Sequence, residues 1–158
     1  KMPIVVPKFA SDSAGKYIED LGFTNIIRLD FNIQYNLIGT NLVFCVLKSG
    51  DFSEDSGIYF SNGNFTGLLS VDTNSINFGR FPKTNFYACS FAGGASGYPV
   101  CWEELYGQEG IRKIVRKNKV SIIKHLVDHV KVVNPEIIIP FAGYFHEKHR
   151  HDNKIRVF

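Results

Sequence analysis

Apolar and polar positions follow two different periods along this chain, and the changes of period mark its elements. Residues 3–6 (PIVV) are apolar without interruption and predict a short buried strand. In SDSAGKYIEDLGF, Ala14, Tyr17, Ile18 and Leu21 recur at helical spacing, with Ser11 or Ser13 as N-cap and Gly22 as a left-handed stop. NIIRLD (25–30) is strand-like again, so the opening is a strand–helix–strand unit of about thirty residues, the size of a crossover. From Ile33 to Ser90 the runs NLVFCVL, SGIYF, FTGLLSVD and NFYACS are β-rich and separated by turn residues, with Asn62-Gly63 as a hairpin signal. They predict a meander of antiparallel strands, interrupted by an irregular loop at 74–83 that holds Pro82.

AGGASGYP (92–99) ends the strand period, and a long amphipathic helix follows. Its apolar stripe is Ile111, Ile114, Val115, Ile122, Leu126, Val130 and Val133, and its basic residues lie largely off that stripe. The pattern fits one helix, or two with a break near Asn118. Asn134-Pro135 ends it, and EIIIPF (136–141) reads as a fully buried strand because its apolar run is continuous. KIRVF (154–158) is one more strand or a frayed end. This order suggests a layered, mixed α/β sandwich rather than a doubly wound sheet.

Composition adds exclusions. At 158 residues, 44% hydrophobic and 21% charged, the chain suits one soluble globular domain and excludes disorder, collagen and a small disulfide scaffold. The net charge, 18 − 15 = +3, is too mild to imply nucleic acid or an anionic membrane, and no apolar run approaches a membrane span. Cys45, Cys89 and Cys101 have no metal-site spacing and read as buried free thiols, which suits a reducing, cytoplasmic compartment. The chain opens at Lys1 directly into a strand with no leader pattern, so it is expected to be part of something longer.

Four places could carry chemistry. Asp72 ends an apolar strand, where a carboxylate at a sheet rim can bind a metal or simply form an Asx turn. The loop SGDFSEDSG, with Asp51, Glu54 and Asp55, could bind a hard cation or be an acidic turn. His125 and His129 stand four apart on the helix, as ligands can, though packed histidines serve that pattern equally. FHEKHRHD gathers His146, Glu147, His149, His151 and Asp152 just after a strand, either a metal or anion site or a solvated loop. The glycine-rich stretch AGGASGYP could also present backbone N–H groups to a phosphate, without matching a known phosphate loop.

SFAGGASGYP (90–99) and PFAGYF (140–145), separated by the basic helix, resemble the corresponding segments of the CMP-N-acetylneuraminate hydroxylase family, as does Phe145-x-Glu147-x-His149. That family joins a Rieske iron–sulfur domain to a metallo-β-lactamase-like domain. The segment from Ile4 to Asp72 is similar to metallo-β-lactamase folds in which a strand ends in Gly-Asp-Thr, here Val71, Asp72 and Thr73. The resemblance implies that residues 1–158 are a single domain, the C-terminal half of an αββα metallo-β-lactamase-like sandwich truncated at its N-terminus. It implies Asp72, Asp51 and His149 as candidate metal positions, and Gly93, Gly94, Ser96, Gly97 and Tyr144 as candidate substrate-binding positions. Asp51 and Phe141 stand where other branches carry metal histidines; HxHxDH is absent, and so are CxH and CxxH, so no iron–sulfur cluster belongs to this chain.

The implied parent protein is a metal-dependent oxygenase or hydrolase, using zinc, iron or manganese, that acts on a nucleotide sugar or similar small anionic substrate. The alternative is a non-catalytic scaffold of the same fold that binds a sugar nucleotide or a partner protein. A lone half exposes an apolar sheet face, so either a homo-oligomer or a missing N-terminal half is expected to cover it.

Overall fold

The computed structural model describes residues 2–51, 53–73, 76, 84–90 and 102–141. Strands β1 (Ile4–Pro7) and β2 (Ile26–Leu29) pair in parallel, and helix α1 (Ser13–Asp20) is the crossover between them. Gly22 at φ 89° stops the helix as expected. Its start differs: the N-cap is Asp12, itself left-handed and without a side-chain cap, while the Ser11 hydroxyl accepts the Ser13 N–H at 3.2 Å. Arg28 of β2 donates to Asp12 at 2.8 Å and to Glu19 at 2.9 Å, which clamps α1 to its sheet and holds the Asp12 carboxyl below its usual range. Gly15 lies under that clamp, where a Cβ would collide with Asp12 and Arg28.

The larger sheet has six strands in sequence order. They are β3 (Gln34–Asn36), β4 (Val43–Lys48), β5 (Ser56–Ser61), β6 (Thr66–Val71), β7 (Phe86–Ser90) and β8 (Ile137–Phe141). β3 to β6 form the predicted antiparallel meander, with Asn62 and Gly63 in the β5–β6 turn. β3 had no sequence signal, being three residues of mixed polarity. β7 departs from the meander: it pairs in parallel with β6, and β8 in parallel with β7. The reason is connection length, since parallel neighbours need a crossover, and α2 (Glu103–Val133) supplies one between β7 and β8. α2 runs unbroken past Asn118; its one non-helical residue is Gly107 (φ 62°, ψ 165°). The irregular loop at 74–83 is described only at Ile76, and KIRVF lies outside the described residues.

The two faces of this sheet differ. On one, Leu47, Leu68, Tyr87 and Cys89 pack against Val133, with Leu126 and Val130 of α2 and Ile76 completing the core. Gly57 has no side chain to block Ile76, whose Cδ1 would stand 3.3 Å from a Cβ there. The thiols of Cys45 and Cys89 are free, and burial pushes both up, so they are inert packing groups as expected; Cys101 lies outside the described residues. On the other face β1 covers only part of β4–β6. There the expectation for EIIIPF fails: β8 is an edge strand, with Ile137 52% and Ile139 45% exposed. A run apolar at every position reports a strand built to be covered on both sides, and among the described residues nothing covers this one. Ile137 N–H donates to Asn85 at 2.8 Å, so Ile138 and Pro140 turn to the free edge, where Pro140 offers no N–H to a stray strand.

Burial pushes the Tyr87 hydroxyl up to about 12, slightly opposed by its contact with Ser70. Unfolded tyrosines ionise near pH 10. Tyr87 therefore stabilises the fold fully below pH 10, and that contribution, about 2–3 kcal/mol, is lost as pH rises toward 12. Urea titrations between pH 9 and 12 are expected to show a flatter decline for Tyr87→Phe than for the wild type.

Candidate functional site at the strand ends

Strand directions decide which loops meet. β4 and β6 run the same way, with β5 returning between them, and β7 and β8 are parallel to β6. The C-terminal ends of β4, β6, β7 and β8 therefore share one edge of the sheet. The loop after β1 joins them, because the Ser11 N–H donates to Glu54 at 3.4 Å and its hydroxyl to the same carboxylate at 2.5 Å. An apolar groove of about 320 Å³ opens between β1 and this end of the sheet, walled by Pro7, Val46, Gly57, Leu69 and Val71.

Asp72 is presented here by distorted backbone. The β6–β7 register shifts between Leu69 and Val71, and Val71 is left-handed at φ 48°, a conformation β-branched residues avoid. The turn closes with Thr73 N–H donating to Ser70 at 2.8 Å, which leaves the Asp72 residue exposed at the rim. Thr73 itself is 1% exposed, and its hydroxyl has no hydrogen-bond partner among the described residues. Strain of this kind costs about 1–3 kcal/mol and persists where the surroundings impose it. Val71→Gly, which at an ordinary strand position is destabilising, is accordingly expected to stay within about 1 kcal/mol of the wild type in urea.

Asp51 sits in the β4–β5 loop on the same edge. It accepts from the Ser53 N–H at 3.1 Å and from the Ser53 hydroxyl, the arrangement of an Asx turn. Donation from the Ser53 hydroxyl, helped by the nearby Ser49 hydroxyl and the Ser53 N–H, holds its carboxyl below the usual range. The Ser49 hydroxyl is buried and makes no hydrogen bond of ordinary geometry itself. Two charged residues at the rim were missed in the sequence. Lys8 and Asp30 follow the parallel strands β1 and β2 directly, which places them at one level, and they pair at 3.1 Å.

The remaining candidates divide. Gly93, Gly94, Ser96, Gly97, Tyr144 and His149 lie outside the described residues, although the strands preceding them, β7 and β8, both end on this edge. His125 and His129 are on α2, away from it. Among the described residues no three His, Cys, Asp or Glu side chains group so as to hold a metal ion. Asp51 and Asp72 alone do not make a metal centre. No described helix is long and apolar enough to cross a membrane.

No family model matches the chain. Among curated proteins it is 32% identical to the cytidine monophosphate-N-acetylneuraminic acid hydroxylase of Mus musculus over 86% of this chain and 24% of that protein. It is 30% identical to the hydroxylase of Danio rerio over 89% of this chain and 24% of that one. The chain thus spans about a quarter of the length of these relatives. Among solved structures, a CmlA β-hydroxylase E377D mutant superimposes with a TM-score of 0.62 at 16% identity, over 89% of this chain and 31% of that one. A likeness at that level shows a shared fold. The metallo-β-lactamase fold protein YhfI of Bacillus subtilis is more distant, with a TM-score of 0.41 at 12% identity. The chain is a mixed α/β segment that shares the fold of the CmlA β-hydroxylase and is homologous to about a quarter of the length of the cytidine monophosphate-N-acetylneuraminic acid hydroxylases.

Proposed function

We propose that this chain is the C-terminal portion of a metallo-β-lactamase-like domain in a longer protein that hydroxylates a CMP-linked sialic acid or a close nucleotide sugar. The observation that carries the reading is the presentation of Asp72 on a strained, left-handed turn at the edge where β4, β6, β7 and β8 all end. Its relatives' names favour the hydroxylase over the hydrolase. In this reading Asp72 is one ligand of a divalent metal (zinc, iron or manganese), with Asp51 and His149 as the further candidates in this chain. Because the described residues do not complete a centre, the remaining ligands come from elsewhere in the protein. The loop with Gly93, Gly94, Ser96 and Gly97, together with Tyr144, is proposed to hold the anionic substrate. The exposed isoleucines of β8 and the partly open face beside β1 support a covering half of the same domain, with self-association of the isolated chain as its substitute.

A second reading has its own support. With Asp51 and Phe141 where other branches carry histidines, the chain also suits a scaffold that binds a sugar nucleotide without turning it over. The native protein incubated with CMP-N-acetylneuraminic acid, a reductant and dioxygen separates the two by mass spectrometry. The hydroxylase reading expects a product heavier by one oxygen atom, lost in Asp72→Ala. Saturable binding with no product would overturn it in favour of the scaffold.

A further inference from the structure

We infer that His125 and His129 form a second metal-binding position, a two-imidazole chelate on α2 for a borderline divalent cation, independent of the Asp72 edge. The residues are four apart on one uninterrupted helical segment, and their ring centroids are 6.1 Å apart. An imidazole nitrogen binds such an ion at about 2.0–2.1 Å, so two neighbouring rings on one ion have centroids roughly 4.5–5.5 Å apart. The rings stand slightly wider than that, and side-chain rotation closes the gap and turns a nitrogen of each onto one ion.

Two features prepare the pair. The turn that carries it is fixed from behind, because Leu126 and Val130 pack on the core cluster. His125 is exposed and His129 half-buried, so an ion can reach the pair from solvent. Among the described residues no third His, Cys, Asp or Glu joins them, so water fills the other positions. Two neutral imidazoles select copper, nickel and zinc over magnesium or calcium, which prefer oxygen ligands.

The test uses the untagged chain with His146, His149 and His151 replaced by alanine, which removes the other histidines. Calorimetric titration with copper, nickel, zinc and magnesium salts is expected to show one equivalent of each of the first three and none of magnesium. Because chelation makes the second ligand intramolecular, His125→Ala and His129→Gln are each expected to weaken binding roughly tenfold or more. His125 is exposed, so that variant keeps the fold, checked by circular dichroism, and Asp72→Ala leaves the affinity unchanged. Binding that survives both histidine substitutions, is lost with Asp72→Ala, or is absent from this background would overturn the assignment.

Discussion

Leu68→Ala is expected to cost about 3–5 kcal/mol, the upper part of the range for buried leucines. Leu68 is fully buried in the middle of β6, paired with Tyr59 on one side and Tyr87 on the other. It lies in the cluster that Leu47, Cys89 and Val133 complete, so its two neighbouring strands and the core shared with α2 all lose packing. The neighbours cannot collapse into the space without moving strands held by ladders on both edges. A domain of this size has only about 5–15 kcal/mol in total. The urea midpoint is therefore expected to fall by roughly 2 M. A loss under 1 kcal/mol would mean that α2 does not seat on this face.

The second large effect is on the opposite face. Gly67 is matched with Phe60 across β5–β6 and with Phe86 across β6–β7. The Phe60 ring lies over Gly67, where a Cβ would collide with it. Phe65 links the two outer rings, 6.3 Å from Phe60 and 6.5 Å from Phe86. The glycine is thus the floor of an aromatic cluster rather than a flexible point in a strand. Gly67→Val displaces the Phe60 ring and is expected to cost about 2–3 kcal/mol by overpacking. Adding Phe60→Leu should recover much of that loss, since the collision is with the ring. A double-mutant cycle measures the coupling, and strict additivity would contradict the packing described here.

Most strands and α2 were legible because their apolar spacing matches the face each buries; α1 stands where its spacing and the Gly22 stop put it, although Ala14, Tyr17 and Leu21 of its stripe are exposed and Gly15 is the residue it buries. The stripe from Ile111 to Val133 is the face α2 turns to the sheet, buried or half-buried throughout. Strand direction was not legible in this way, since NFYACS carries the same alternation whether its neighbour is parallel or antiparallel. Nor was the edge position of EIIIPF, whose apolar run reports the cover a strand is built for rather than the cover it has in this chain. At the site, Asp72 could be picked out as an acid at a strand end. The left-handed Val71 that presents it could not, because valine carries no local signal for positive φ. The tie from Ser11 to Glu54 spans 43 residues and follows only from the folded arrangement of β1 beside β4.

In the proposed function Asp72 is a ligand that this segment contributes to a metal centre. That role is tested most directly by the metal content of the native protein, purified without chelators and measured by elemental mass spectrometry beside Asp72→Ala. With His125 and His129 both replaced, near-stoichiometric iron, zinc or manganese is expected in the protein and is expected to be lost when Asp72→Ala is added. Equal metal with and without Asp72→Ala in that background, or none in either, would overturn the assignment of Asp72.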